Sequence, residues 1–207
     1  MRPGLTTSEA AWLRSGRDHE VVRAATRAAL RRLLAPGVAA PGAIRFTRAC
    51  RHCGDPAHGK PSAVGVRSTF NVAHTSGVGL IAIGEDGVDV GVDVEGRRRD
   101  RGSLELIVDH ALSQQEISAI QALRDDARDE ALLRIWTAKE AVTKADGRGL
   151  LAPLHDLSVA PIVTRPTIST NLGGRRWWVS LLELGRPFVA AVAASEAVDV
   201  DVRRWRW

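Results

Sequence analysis

The chain has 207 residues, 44% hydrophobic and 26% charged, an ordinary folded composition that excludes a disordered or collagen-like protein. At this length folding buries roughly 70% of the unfolded surface, so a disulfide-stapled scaffold is not needed, and two cysteines could not build one. Twenty-nine basic residues, 26 of them Arg, against 24 acidic ones leave a net charge of +5, which favours acidic partners without demanding nucleic acid.

The opening MRPGLTTSEAAWLRSG has no apolar signal region, and the strongest apolar run, 188–194, is far too short for a membrane span; a cytoplasmic protein is expected. Residues 18–34 predict a helix. Asp18 stands at the cap, Val21, Val22, Ala25, Ala28, Ala29 and Leu33 recur at helical spacing, and Arg23, Arg27 and Arg31 form a basic stripe. A Pro/Gly loop follows at 35–43, then an irregular stretch at 50–66. Phe70–Thr75, Val78–Ile83 and Val88–Glu95 read as strands, with Asp86-Gly87 suiting a hairpin turn between the last two. A charged connector, 97–102, marks the candidate boundary. Ser113-x-x-Glu116 is a capping box, and a long helix is expected from about 126 to 145, stopping at Gly147. Strands are expected at 155–160, 166–171, 176–184 and 187–194, before an Arg/Trp-rich tail.

Four clusters carry possible chemistry. In the third strand Val88, Val90, Val92 and Val94 face one side; Asp89, Gly91, Asp93 and Glu95 face the other. Asp93 and Glu95 then sit about 7 Å apart on one face, an arrangement that suits a hard divalent cation such as Mg²⁺ or, more simply, a solvated polar face. On the long helix Trp136, Glu140 and Lys144 share one stripe; this reads as a surface ion pair or, given the Trp anchor, as a face turned into a cleft. His74 ends a strand and is followed by the small residues Thr75-Ser76-Gly77, whose backbone could accept a phosphate. Cys50-Arg51-His52-Cys53 with His58 could open a zinc site, but a second ligand pair is missing unless His52 or Asp55 serves, and a reduced, structural pair is the simpler reading. The chain's three lysines, Lys60, Lys139 and Lys144, all fall in such segments.

Taken in order, GKP at 59–61, FNVAHTSG at 70–77, GVDVE at 91–95 and WTAKEAVTKADGRGL at 136–150 resemble the 4′-phosphopantetheinyl transferases of the surfactin-activating type. The resemblance spans about residues 57–160. It implies an α+β fold of two similar pseudo-symmetric α/β halves, each a small antiparallel sheet packed on a long helix. Residues 1–96 and 97–207 would form the halves, with the active site in the cleft between them. It implies Mg²⁺-dependent transfer of the phosphopantetheine arm of coenzyme A to a serine of an apo acyl or peptidyl carrier protein, releasing adenosine 3′,5′-bisphosphate, by a monomer. The carrier could serve fatty-acid, polyketide or nonribosomal peptide synthesis.

Carried over by motif, Asp93, Glu95 and Glu140 would hold the metal. Lys60, His74, Thr75, Lys139 and Lys144 would bind the coenzyme, with Lys144 the better phosphate contact of the two helix lysines. Glu140 is the first candidate for the base, and Glu116 matches a glutamate that orders the site. The family's serine before the histidine is here Ala73, so Thr75 or Ser76 would have to replace its hydroxyl. Arg17, Arg23, Arg27 and Arg45 all remain open as partners of the coenzyme's 3′-phosphate. Arg97, Arg98, Arg99 and Arg101 could steer an acidic carrier. Two other readings stand beside this one. One is a basic, Trp- and Arg-rich single-stranded nucleic-acid-binding module. The other is a different Mg²⁺-dependent phosphotransfer enzyme, disfavoured by the lack of a GxxxxGK[ST] loop.

Overall fold

The helix expected near the start forms as α1 (His19–Leu34), but its buried face is Val22, Thr26, Ala29, Leu30 and Leu34, so of the expected stripe only Val22 and Ala29 are buried and Val21 is exposed. The computed structural model describes residues 7–14, 19–35, 40–97 and 101–205, so Asp18, read as the cap of this helix, lies outside the described residues. Arg31, part of the expected basic stripe, turns back and donates to the carbonyl of Ile44 at 2.6 Å, tying the following loop to the helix.

Two four-stranded sheets organise the rest. The first has the order β10–β1–β5–β4, formed by β1 (Thr7–Arg14), β4 (Ser68–Thr75), β5 (Val78–Asp86) and β10 (Asp199–Trp205). Its neighbours are antiparallel except β1 and β10, which run parallel. The second is wholly antiparallel, with the order β6–β9–β8–β7, from β6 (Val90–Gly96), β7 (Thr167–Leu172), β8 (Arg175–Leu182) and β9 (Phe188–Ala194). A short ribbon of β2 (Phe46–Arg48) and β3 (Pro61–Ala63) brackets the cysteine loop. The first sheet packs on α1 and the second on α4 (Asp125–Asp146), the expected α+β arrangement. Two shorter helices, α2 (Arg101–Ala111) and α3 (Gln114–Gln121), cover the far side of α4. The Ser113–Glu116 capping box forms as expected.

Several expectations are corrected. β5 and β6 do not make a hairpin. Both edges of β5 are already taken, by β1 and β4, so after the turn at Gly87 β6 leaves for the second sheet and pairs with β9. The strand expected at 155–160 is instead a pair of short 3₁₀ turns, Leu154–Asp156 and Ala160–Val163. Part of the charged connector belongs to α2. The division expected at 96/97 falls just after β6, and the sheets exchange strands across it: β6 joins the second sheet while β10 returns to the first.

The two sheets meet along β4 and β6. Asn71 Oδ1 on β4 accepts from the backbone N–H of Val92 at 3.0 Å, and the Thr69 hydroxyl donates to the carbonyl of Val88. These side chains satisfy polar groups on the β6 edge that has no strand partner. Val88, just before β6, and the strand's Val90, Val92 and Val94 pack with Ala73, Leu80 and Ala82 in a shared core.

Candidate active site

The other face of β6, for which the sequence also allowed a solvated surface, is covered by α4. Gly91 makes this possible, since a Cβ there would stand 2.1 Å from the carbonyl oxygen of Ala141 and 2.4 Å from the nitrogen of Ala145. The helix backbone therefore lies directly on the strand, and the polar residues on either side of Gly91 are pressed against α4. Asp93 is only 6% exposed and Glu140 9%.

The stripe Trp136–Glu140–Lys144 faces this strand. Lys144 Nζ is 2.6 Å from Asp93 Oδ1 and 4.0 Å from Glu140 Oε2. Trp136 Nε1 donates to Glu95 Oε1 at 3.0 Å. Asp93, Glu140 and Lys144, drawn from two distant segments, thus form one cluster, with Glu95 beside it on Trp136. The three carboxylates do not bring one oxygen each within 4.8 Å of one another, so sharing an ion requires their side chains to turn inward. Burial raises the Asp93 carboxyl above its usual range despite Lys144. Burial, then the charges of Asp93 and Glu95, lift Glu140 to about 7. Burial works against the Lys144 ammonium, but Asp93, Glu140 and Glu95 outweigh it and hold the group charged. Asp93 Oδ2 and Glu140 Oε1 are buried and have no hydrogen-bond partner among the described residues. Two orphaned carboxylate oxygens beside a third carboxylate are a costly arrangement in a folded protein unless a cation completes it. Hard oxygen donors of this kind fit Mg²⁺.

Beside the cluster runs a groove of about 300 Å³ lined by His58, Gly59, Lys60, Pro61, Asn71, Lys144 and Arg148 among others. Lys60 enters it from the cysteine loop. Its ammonium is 3.3 Å from Asp89 Oδ1 and 3.4 Å from the Ala145 carbonyl, and burial, only partly offset by Asp89, lowers its pKa to about 8. Asp89 also binds Arg51 at 2.8 Å and Arg175 at 2.7 Å. Burial opposes its ionisation, but these cations prevail and bring its pKa to about 2. Asp89 thus anchors the loop that delivers Lys60.

His74, at the end of β4, stacks on His19 of α1 with ring centroids 4.6 Å apart. Its Nε2 is buried and lacks a partner among the described residues. Burial, followed by the fields of His19, Arg23, Lys144 and Arg27, lowers its pKa. His74 therefore sits between the exposed basic side of α1 and Lys144, in an electropositive neighbourhood. Thr75 follows it at the β4–β5 turn. Arg23 and Arg27 are the arginines of the open set that act on His74; Arg45 is exposed, and Arg17 lies outside the described residues.

Lys139 departs from the expectation. It is fully buried, its ammonium 2.6 Å from Glu116 Oε2 and hydrogen-bonded to the carbonyls of Ala111 and Leu154. Adjacent helix positions differ by about 100°, so with Glu140 facing β6, Lys139 must point toward α2 and α3. It is a core ion pair, not a groove lysine. Glu116 belongs with it, capping α3 and also accepting from the N–H of Val159 at 2.7 Å. Ala73 is in the core, where the family's hydroxyl would need a partner. Arg97 is held by Glu130; Arg98, Arg99 and the side chain of Arg101 lie outside the described residues. Trp177 is fully buried under the Arg175 guanidinium, 4.8 Å from its ring centroid, and offers no face to a nucleobase. Sequence reasoning missed Asn71 as the link between the sheets and Asp89 as an anchor, although the 89–95 alternation carried Asp89.

The segment that carries this carboxylate–lysine cluster matches a known family. The model of the 4′-phosphopantetheinyl transferase superfamily fits residues 89–193, just over half of the chain and the stretch that contains β6 and α4. The chain belongs to that superfamily. It is 32% identical over 128 residues to the 4′-phosphopantetheinyl transferase HetI of Nostoc sp., covering 61% of this chain and 51% of that protein. It is 30% identical over 90 residues to a 4′-phosphopantetheinyl transferase of Bacillus subtilis, covering 44% of this chain and 38% of the relative. The matches span between 35% and 51% of the length of the curated relatives. Among the described residues no helix is long and apolar enough to cross a membrane.

Proposed function

We propose that this protein is a phosphopantetheinyl transferase of the surfactin-activating type, moving the phosphopantetheine arm of coenzyme A to a serine of an apo carrier protein. The observation that carries the reading is the pair of buried, unpartnered oxygens, Asp93 Oδ2 and Glu140 Oε1, within the segment that matches the superfamily.

In this reading Asp93, Glu95 and Glu140 hold Mg²⁺. When bound, the ion would neutralise charge on the pyrophosphate and make its phosphorus more electrophilic. The chain's own residues do the rest. Lys60, His74 and Lys144 bind the pyrophosphate from the groove, and Thr75 closes the turn beside it. Arg23 and Arg27 on α1 are the proposed partners of the 3′-phosphate. Lys144 would pass from Asp93 to the phosphate oxygens, adding a fixed positive charge where negative charge grows. Glu140, the carboxylate nearest Lys144 after Asp93, is the group proposed to take the proton from the carrier serine hydroxyl. The serine oxygen attacks the pantetheine-side phosphorus. A P–O bond forms there as the bond to the bridging oxygen breaks, and adenosine 3′,5′-bisphosphate leaves. Positioning and electrostatics supply most of the rate. The two halves, residues 1–96 and 97–207, would act as one monomer in the cytoplasm.

The test is direct. Purified protein, Mg²⁺ and coenzyme A should add one phosphopantetheine mass to apo carrier proteins from fatty-acid, polyketide or peptide synthases. No mass gain on any carrier, with coenzyme A consumed by none of them, would reject the proposal.

A further inference from the structure

The loop that delivers Lys60 carries a second cluster, outside the carboxylate site and outside the segment that matches the superfamily. One donor atom each from Cys50, Cys53 and His58 lie within 4.8 Å of one another, and Cys53 Sγ is 3.2 Å from His58 Nε2. In a tetrahedral zinc site the donors stand about 3.5–3.8 Å apart, given metal–sulfur and metal–nitrogen bonds of about 2.3 and 2.0 Å. The three side chains therefore need only small rotations to close on one ion.

The backbone is already shaped for it. The N–H of Gly54 donates to the carbonyl of Cys50 at 2.8 Å, and the N–H of Cys50 donates to the carbonyl of Asp55 at 3.0 Å, closing a tight turn around the two cysteines. The N–H groups of His52 and Cys53 are directed at the Cys50 sulfur. The chain then doubles back. A Cβ at Gly59 would meet the Cys50 Cα and nitrogen at 2.7 Å, and Gly59 has φ 106°, so only glycine lets the chain pass there and set His58 against the cysteine pair. Cys50 is buried, Cys53 exposed and His58 half-buried, which leaves a path for an ion.

We propose that Cys50, Cys53 and His58 bind a zinc ion, with Asp55 or water as fourth ligand, and that this ion fixes the loop carrying Lys60. Two thiolates and a neutral imidazole select zinc over hard cations; the site is then neutral with water as fourth ligand and −1 with Asp55. Asp55 Oδ2 is 3.9 Å from His58 Nε2, and its other oxygen is oriented by the N–H of Ala57 at 2.7 Å. His52 is not needed as a ligand: its Nε2 is 3.2 Å from Asp146 at the end of α4. Together with Arg51 on Asp89, that contact docks the loop on the site's own scaffold. The ion's task is structural, since it lies on the loop and the groove is lined by His58, Gly59 and Lys60 in succession.

The experiment counts metal in the full-length protein after reduction, incubation with Zn²⁺ and removal of loose ion. About one zinc per chain is expected in the parent and in His52→Ala, and below about a tenth of an equivalent in Cys53→Ser and His58→Ala. Replacing zinc by Co²⁺ should give intense thiolate-to-cobalt absorption that Cys53→Ser weakens. Cys53 is exposed, so its variant should keep the parent's circular dichroism, which separates lost binding from lost folding. Parent protein that takes up no zinc, or Cys53→Ser that holds as much as the parent, overturns the proposal. A Cys50–Cys53 disulfide that forms in its place, despite reduction, does so too. Because metal is counted without any transfer assay, failure here leaves the transferase reading standing, and the reverse.

Discussion

Asp93 and Lys144 stand 51 positions apart in the chain and meet at 2.6 Å. The contact joins a strand of the second sheet to the last turn of α4, and Glu140 completes it one helical turn earlier. Removing the acidic members should stop transfer without unfolding the protein. Asp93→Asn and Glu140→Gln keep the shape of the side chains but lose charge, and each is expected to lower kcat by roughly a hundredfold or more on an apo carrier. Near-parental rates in either, measured by mass spectrometry of the carrier, would refute the metal and base assignments.

Mg²⁺ should stabilise the protein in the absence of coenzyme A. At about 100 times its Kd, an ion that binds only the folded state adds about 2.7 kcal/mol. Thermal unfolding of chelator-treated protein should therefore shift upward with Mg²⁺. The shift should vanish in Asp93→Asn, and a shift that survives there would place the ion elsewhere.

Gly91 sets the distance between β6 and α4. Gly91→Ala puts a methyl group against the Ala141 carbonyl and the Ala145 backbone, neither of which can move without the helix. A loss of roughly 2–3 kcal/mol in urea unfolding is expected, with transfer activity falling in the fraction that remains folded. An unchanged urea midpoint would show that the helix stands farther off.

Lys139 is predicted to act through stability alone. Lys139→Met leaves Glu116 charged and buried, at a cost of roughly 3–5 kcal/mol, and adding Glu116→Gln, which removes the charge and keeps an oxygen to accept from the Val159 N–H, should recover part of it. The KM for coenzyme A in the double variant should match the parent. A raised KM there would return Lys139 to the groove.

Asp89 ties stability to pH. Its carboxyl titrates near 2 in the folded protein, against about 3.8 without its cations. A depressed folded pKa means stability present above pH 3.8 and lost as pH falls toward 2. The difference corresponds to about 2 kcal/mol, with the buried position of Asp89 limiting solvent screening. Urea midpoints of parent and Asp89→Asn should differ most at pH 5 and converge toward pH 2.5. A gap independent of pH would mean that the carboxylate charge contributes nothing.

Much of the site was legible because its signals are local. A strict two-residue alternation placed Asp93 and Glu95 on one face, and a four-residue period placed Trp136, Glu140 and Lys144 on another. The same local logic misjudged Lys139. Its motif neighbours suggested a coenzyme contact, while its angular position on the helix, next to Glu140, sends it into the core. The hairpin expected at Asp86-Gly87 failed for a different reason: turn chemistry specifies a reversal, but not whether the strand behind it still has a free edge.

The sequence alone settled which residues could form a helix, a strand or a cap, and which acids and lysines travel together within one element. Only the tertiary structure decided that β6 leaves the first sheet, that α4 lies directly on Gly91, and that Asp89 gathers Arg51 and Lys60 from one loop and Arg175 from a distant strand. The physical reason is range. Periodicity and capping depend on neighbours a few residues away, whereas strand pairing, close backbone approach and buried charge depend on which distant surfaces exclude water together.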